Sequence, residues 1–390
     1  MSLPAIQRQI IETADRPLER AIALPAAAYT DPDFYAWEVD HWLKQQWLCV
    51  GHVAQIPQVG DYRNLELLGE RLVILRDEAD SVRVLSRVCV HRGMDVMPPE
   101  FAHASQGNCR TLVCPYHHWS YRLDGGLKAA PEMHRHSDFA LQNLGLPQVR
   151  TEVWEGFIFI TFDLDLDPVE TQYADLKPFL GPQAMAELDL VVSLDWDCPF
   201  NWKVLVENFM ESYHHLGAHH RTFEPLMPAA RTWTEVQLRN VIVGHLPIAD
   251  RVLADAAARE ALFPFSLSPH LAPPDLREYR VCLGVPTFLL FIGPDRVYWY
   301  QVQPQGPDRM KLTTTMLVRP ESKALDHYDS AIQSAIAGLQ EFHREDLEMC
   351  SAVQAGLNSS FYRPGPLSHL EMPVWQFQQY LAAQIRTFSF

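Results

Sequence analysis

The chain has 390 residues, 47% of them hydrophobic and 21% charged, enough to bury a large core and to build two domains. Its formal net charge of −16 argues against a nucleic-acid partner, which needs a basic surface. No apolar run reaches the roughly 18 residues of a membrane-spanning helix. The 7 cysteines, an odd number without a disulfide framework, read as reduced thiols of a cytoplasmic protein, some of them metal ligands.

In chain order, Ala21–Tyr29 is apolar but interrupted by Pro25 and reads as an ordered N-terminal arm, not a signal peptide. Asp31-Pro32 predicts a helix start, with Phe34, Trp37, Trp42 and Trp47 near one apolar face of the segment it opens. Leu65–Leu68, Arg71–Leu75 and Val82–Val88 predict strands, and Val153–Phe162 closes this β region before the acidic run Asp163–Asp167. Further on, Leu194–Phe200 and Val281–Tyr300 predict sheet, with Val281–Ile292 as one buried strand, while Asn201–Leu216 and Lys323–Leu357 predict helices. The expected fold is α+β: an arm and helix over 1–45, an all-β domain over 46–163, and a domain of antiparallel sheet and helices over 164–390.

Two cysteine–histidine pairs carry the first chemistry. They are Cys89-Val90-His91-Arg92-Gly93 and Cys114-Pro115-Tyr116-His117-His118-Trp119. Two thiolates and two imidazoles are the ligand set of a Rieske-type 2Fe–2S cluster, cysteines on one iron and histidines on the other. The same set could hold zinc. The flanking Arg92-Gly93, the aromatic Trp119 and Tyr121, and the Gly125-Gly126 turn favour the cluster. Cys109 has no histidine two or three residues on, so Cys114 is the better ligand.

A second constellation lies in Glu207-Asn208-Phe209-Met210-Glu211-Ser212-Tyr213-His214-His215-Leu216-Gly217-Ala218-His219-His220. Non-heme Fe(II) oxygenases bind iron with two histidines and one carboxylate, leaving positions open. On a helix Glu211 and His214 share a face, but His219 lies about 140° from His214 and His215 about 100° from it. Gly217 is a plausible helix end that would turn His219 back toward a metal. Among Glu345, Asp346 and Glu348 the spacing alone does not choose a third ligand.

Together these segments resemble the alpha subunits of Rieske non-heme iron oxygenases. The matching motifs are C-x-H-R-G, C-P-Y-H, N-W-K…E-N-x-x-E-x-Y-H-x-x-x-x-H and the C-terminal E-D…Q-x-G-L helix. The resemblance implies Cys89, His91, Cys114 and His117 as cluster ligands, and His214, His219 and Asp346 as iron ligands, with His220 the runner-up for His219. It also implies functional roles for Asn208 and Glu211, the latter linking a cluster histidine of one subunit to an iron histidine of its neighbour in a homotrimer. The implied cofactors are a 2Fe–2S cluster and mononuclear Fe(II), with dioxygen and with NAD(P)H electrons delivered through a flavin or ferredoxin reductase. The implied reaction is hydroxylation or oxidative demethylation of a small molecule.

Glu-x-Tyr-His at 211–214 is similar to the branch that oxidises quaternary ammonium compounds, although Ser212 replaces that branch's cysteine. Phe209, Phe223, Trp233, Tyr298 and Trp299 are candidate aromatic faces for such a cation. Ring dihydroxylation, an electron carrier without catalysis, and a zinc-stabilised binding module are the rival readings. Two departures from the family pattern stand out: His118 replaces the usual glycine, and 22 residues, more than usual, separate His91 from Cys114.

Overall fold

The computed structural model describes residues 2–101, 103–236 and 238–389. The chain divides into one compact unit of Lys44–Val169 and another of Met1–Leu43 with Glu170–Phe390.

The first unit is all-β. Its strands are β1 (Leu48–His52), β2 (Asp61–Leu67), β3 (Glu70–Arg76), β4 (Val82–Ser86), β5 (Gln106–Asn108), β6 (Leu112–Val113), β7 (Ser120–Tyr121), β8 (Leu127–Ala129), β9 (Gln148–Trp154) and β10 (Phe157–Thr161). Seven form an antiparallel sheet in the order β1-β10-β9-β4-β3-β2-β5, and β6-β7-β8 form a smaller one. Val153–Phe162, expected as one closing segment, is a hairpin. Trp154 faces Phe157 across a two-residue turn, Glu155-Gly156, whose residues both have positive φ (51° and 80°). That turn matches the twist of the paired strands and calls for glycine at its second position. The segment that lengthens the spacer supplies β5, which pairs with the edge of β2; residue 102 within it lies outside the described residues.

The second unit is built on an antiparallel sheet of β11 (Asp189–Cys198), β12 (Trp233–Thr234), β13 (Val241–Pro247), β14 (Glu278–Gly284), β15 (Phe288–Ile292), β16 (Arg296–Gly306) and β17 (Arg309–Val318). Their order is β11-β17-β16-β15-β14-β13-β12. Val281–Ile292 is therefore two strands rather than one, turning at Val285–Pro286, a cis bond. The longer helices are α1 (Leu3–Ala14), α2 (Pro32–His41), α3 (Trp202–Met210), α4 (Tyr328–Leu357) and α5 (Met372–Ser389). Asp31 caps α2 by accepting from the Asp33 and Phe34 N–H groups at 3.0 Å each. That helix ends before Trp42, which together with Trp47 is fully buried beyond it.

Helix α3 is held at its start by Asn201. Its side chain accepts from the Lys203 N–H (3.0 Å) and donates to the carbonyls of Tyr29 (3.0 Å) and Pro307 (2.9 Å). Lys203 is fully buried and lies 2.8 Å from the Glu38 carboxylate, itself fully buried. A charge at such depth is tolerated only when paired. The helix stops at Met210, six residues short of the expected Leu216; Glu211 is extended (φ −108°, ψ 157°), and a separate 3₁₀ turn spans Tyr213–Leu216. Among the described residues no helix is long and apolar enough to cross a membrane.

Candidate active site and metal centres

The two cysteine–histidine loops share one backbone design. In the first, the Cys89 N–H donates to the Met94 carbonyl (2.8 Å) and the Gly93 N–H returns to the Cys89 carbonyl (2.9 Å). In the second, the Cys114 N–H donates to the Trp119 carbonyl (2.8 Å) and the His118 N–H returns to the Cys114 carbonyl (3.0 Å). Gly93 (φ 73°) and His118 (φ 56°) occupy the same left-handed position. His118 is thus the counterpart of a glycine, in a conformation that costs a side chain energy.

Both thiols are buried in a shared apolar cluster with Trp119, Tyr121 and Leu85. The Tyr121 hydroxyl lies 3.0 Å from the Cys89 sulfur. The His91 and His117 rings lie 4.6 Å apart, and His91 stacks on Trp119 at 4.6 Å and 6°. Among the described residues His117 Nδ1 is buried without a protein partner. Loss of solvation, with His117 and Arg92 nearby, disfavours the charged form of His91, which suits a neutral ligand. A buried pair of thiols with two imidazoles 4.6 Å apart on the same two loops fits a 2Fe–2S group. Behind the first loop, Arg87 and Asp95 pair at 3.4 Å, both side chains 3% exposed. Cys109 packs against the edge of this cluster, its N–H donating to the Gly60 carbonyl.

In the second unit the break after Met210 organises the other site. Glu211 turns its carboxylate onto the next 3₁₀ turn, accepting from the His214 N–H (3.1 Å) and lying 2.8 Å from His214 Nδ1. The helical face expected to bring these two together is absent, and this local clasp replaces it. The chain then reverses so that the His219 carbonyl accepts from the N–H groups of Thr222, Phe223 and Glu224. Donor atoms of His214, His219 and Asp346 come within 4.8 Å of one another. His219 Nε2 is 2.9 Å, and His214 Nε2 3.7 Å, from Asp346 Oδ1. Two imidazoles and one carboxylate on one side of an open space suit a non-heme iron.

The outer nitrogens are also held. His219 Nδ1 lies 2.7 Å from Glu345 Oε2, which accepts from the Thr222 hydroxyl at 2.9 Å. Each histidine therefore has a carboxylate on its Nδ1, which fixes Nε2 as the donor to a metal and sharpens its basicity. Burial works against charge on His214, but Glu211 and then Asp346 outweigh it and raise its pKa. Burial likewise opposes ionisation of Asp346, while His219 and His214 hold it below the usual carboxylate range.

Above the three donors is a chamber of about 40 Å³, walled by Asn208, Phe209, Phe223, Phe291, Tyr300, Phe342 and His343 among others. Burial presses the His215 pKa down to about 3 and that of His343 to about 4, so both stay neutral. His343 is hydrogen-bonded to the Thr314 hydroxyl at 2.8 Å, and its Nδ1 is buried without a partner among the described residues.

Of the five aromatic candidates, Phe209 and Phe223 line this chamber. Trp233 instead stacks on His245 at 3.7 Å, Trp299 is fully buried in the sheet, and Tyr298 lines a different cavity. His220 is exposed and bonded to the Gly217 carbonyl, and Glu348 pairs with Arg344 on the surface. The sequence reading missed His343 and Phe342, though both stand one turn before Asp346 on its helix, and it gave Glu345 no role of its own.

A cradle of two thiols and two imidazoles, and a two-histidine, one-carboxylate set beneath an aromatic chamber, define a Rieske-type oxygenase. Comparison with known proteins agrees. Residues 46–150 match the Rieske [2Fe-2S] domain, and residues 181–387 match the ring hydroxylating alpha subunit (catalytic domain). The chain belongs to this family, the alpha subunits of ring-hydroxylating oxygenases. It is 26% identical to the carnitine monooxygenase oxygenase subunit of Acinetobacter pittii, over 88% of this chain and 87% of that one. It is 27% identical to the glycine betaine monooxygenase oxygenase subunit of Chromohalobacter salexigens, over 89% and 82%. The fold matches that of a quaternary ammonium Rieske monooxygenase (TM-score 0.80, 23% identity, 96% of this chain and 98% of that one). It also matches naphthalene 1,2-dioxygenase from Rhodococcus (TM-score 0.80, 18% identity, 99% and 98%). The protein is a terminal oxygenase with a Rieske cluster and a mononuclear iron, using dioxygen and NAD(P)H electrons that arrive through a reductase.

Proposed function

We propose that this oxygenase oxidises an N-methylated small molecule at a carbon bonded to nitrogen. The observation that carries this is the aromatic chamber: the Phe209, Phe223, Phe291, Tyr300 and Phe342 rings surround the space over His214, His219 and Asp346, and aromatic faces attract alkylammonium cations. Relatives named for carnitine and glycine betaine support it. His214, His219 and Asp346 would hold the iron, Cys89 and Cys114 one cluster iron, and His91 and His117 the other. Once bound, these groups supply stored electrons and dioxygen activation.

The chain's residues do the rest. The phenyl walls exclude water and seat the cationic head, Asn208 positions it, and the carboxylates of Glu211 and Glu345 keep the imidazoles oriented. In the overall balance, one oxygen atom enters a C–H bond. The other leaves as water with two electrons and two protons. The resulting N–CH₂OH group then breaks its C–N bond, releasing formaldehyde and the demethylated amine. Electron delivery runs between subunits of a head-to-tail homotrimer, with Glu211 as the acidic bridge; a closed ring of this kind is a heterologous assembly. The cytoplasm suits its seven free cysteines.

Reductase, NADH and the loaded enzyme, given a panel of quaternary ammonium compounds, N-methylamines and arenes, provide the test. Oxygen uptake matched mole for mole by formaldehyde is expected with the N-methyl compounds. Coupled formation of arene diols without formaldehyde from any N-methyl compound overturns the reading in favour of ring hydroxylation.

A further inference from the structure

The iron chamber is too small for a whole substrate. At about 40 Å³ it holds a few water-sized groups, whereas a small-molecule site usually spans several hundred Å³. Directly behind it is a cavity of about 410 Å³ that shares Phe223, Phe291 and Phe342 with the chamber as common walls.

The chemistry of this cavity is distinctive. Its lining is chiefly aliphatic and aromatic. Neither of its guanidinium groups offers a buried, unmatched charge to an anion. Arg296 is paired with the fully buried Asp295 at 3.0 Å, and Arg221 is exposed, as is the oppositely charged Glu341. Tyr279 also lines the cavity, is 2% exposed, and stacks on Phe291 at 5.1 Å. Among the described residues its hydroxyl is buried with no protein partner, an unfavourable arrangement that a hydrogen bond to an acceptor on a bound ligand would relieve. A compact zwitterion would leave this volume empty and gain nothing from its walls.

We infer that this cavity is a second substrate subsite, holding an uncharged apolar or aromatic body attached to the N-methyl head that reacts in the iron chamber, with the Tyr279 hydroxyl as its polar anchor. The inference rests on the N-methyl reading for the head group only. It places this chain's substrate among larger amphiphilic amines, apart from the small ammonium acids of its named relatives.

Calorimetric binding to the metal-loaded enzyme tests it. (3-Phenylpropyl)trimethylammonium should bind at least about tenfold tighter than tetramethylammonium, as expected for burying a phenyl ring. Gly338 faces the cavity from α4, and a Cβ there meets no heavy atom within 4 Å. Gly338→Phe should therefore abolish the phenyl advantage and leave tetramethylammonium binding unchanged. Tyr279→Phe should weaken a para-methoxyphenyl probe severalfold and spare the phenyl one. Neutral 3-phenylpropan-1-ol separates the two readings. If it binds wild type and not Gly338→Phe while no N-methyl compound is turned over, the subsite stands and the head-group assignment falls. If N-methyl compounds turn over but the phenyl group adds no affinity, or Gly338→Phe changes nothing, the subsite is overturned.

Discussion

His118 shows how a single side chain can be at odds with its backbone. The second ligand loop repeats the first, and the position filled by Gly93 in one is filled by an exposed histidine with φ 56° in the other. His118→Gly should raise stability by about 0.5–1 kcal/mol, seen as a higher unfolding midpoint with an unchanged cluster spectrum. A lower midpoint would mean the imidazole makes a compensating contact. The motif alone marked this residue as odd; only the backbone explains why glycine is usual there. Glu207 is a second case. It is half-buried, both its oxygens accept from the Tyr29 hydroxyl (2.7 and 2.8 Å), and loss of solvation pushes its pKa up from 4.5 to about 7. Its raised value means the native state keeps a proton that the unfolded chain has released. Stability from this group is therefore full below pH 4.5 and is lost as pH rises through 7, by about 3 kcal/mol in all. Chemical denaturation of wild type and Glu207→Gln at pH 4.5 and 7.5 should show the wild type losing that amount relative to the variant; parallel pH profiles would refute it.

At the level of elements, the informative error is the end of α3. Neither proline nor glycine interrupts the chain between Met210 and Leu216, so sequence reasoning runs the helix on to Leu216, just before Gly217. Glu211 instead spends its carboxylate on the backbone and ring of His214, a local bond that competes with helix continuation. The Asp31–Pro32 start of α2 was legible because its signal is confined to neighbouring residues. The role of Glu345 was not, since its partners His219 and Thr222 lie more than a hundred residues away. Replacing Glu345 with Gln should lower affinity for the mononuclear iron by about 10–100-fold while leaving the cluster in place, measured as one iron lost of three per chain on dialysis against a chelator. The pair Lys203–Glu38, which ties α2 to α3, makes a sharper demand: Lys203→Met strands a buried carboxylate and should cost about 3–5 kcal/mol, read from denaturant unfolding. Lys203→Met with Glu38→Leu should recover much of that loss.

For the whole molecule, the fold class and the order of the two metal-binding regions were readable because each motif is short and chemically specific. The chamber walls were not, because Phe291 and Phe342 converge from β15 and α4 and share no local pattern. Assembly is likewise a property of the whole chain. Sedimentation should give three chains per particle, and Glu211→Gln, reconstituted with excess iron to three irons per chain, should abolish turnover. Full activity in that variant would remove Glu211 from the electron path.

Helix α4 carries a consequence of its own. Gly338 and Phe342 border the larger cavity, and Asp346, on the same unbroken 30-residue helix, faces His214 and His219. Eight residues of helix are a rigid strut of about 12 Å. Axial sliding of that strut moves the cavity wall and the carboxylate together by the same distance. Load on one end is therefore felt at the other without any intervening hinge, and the spacing between guest and carboxylate is set as a machine sets tolerances, by the length of a single solid part.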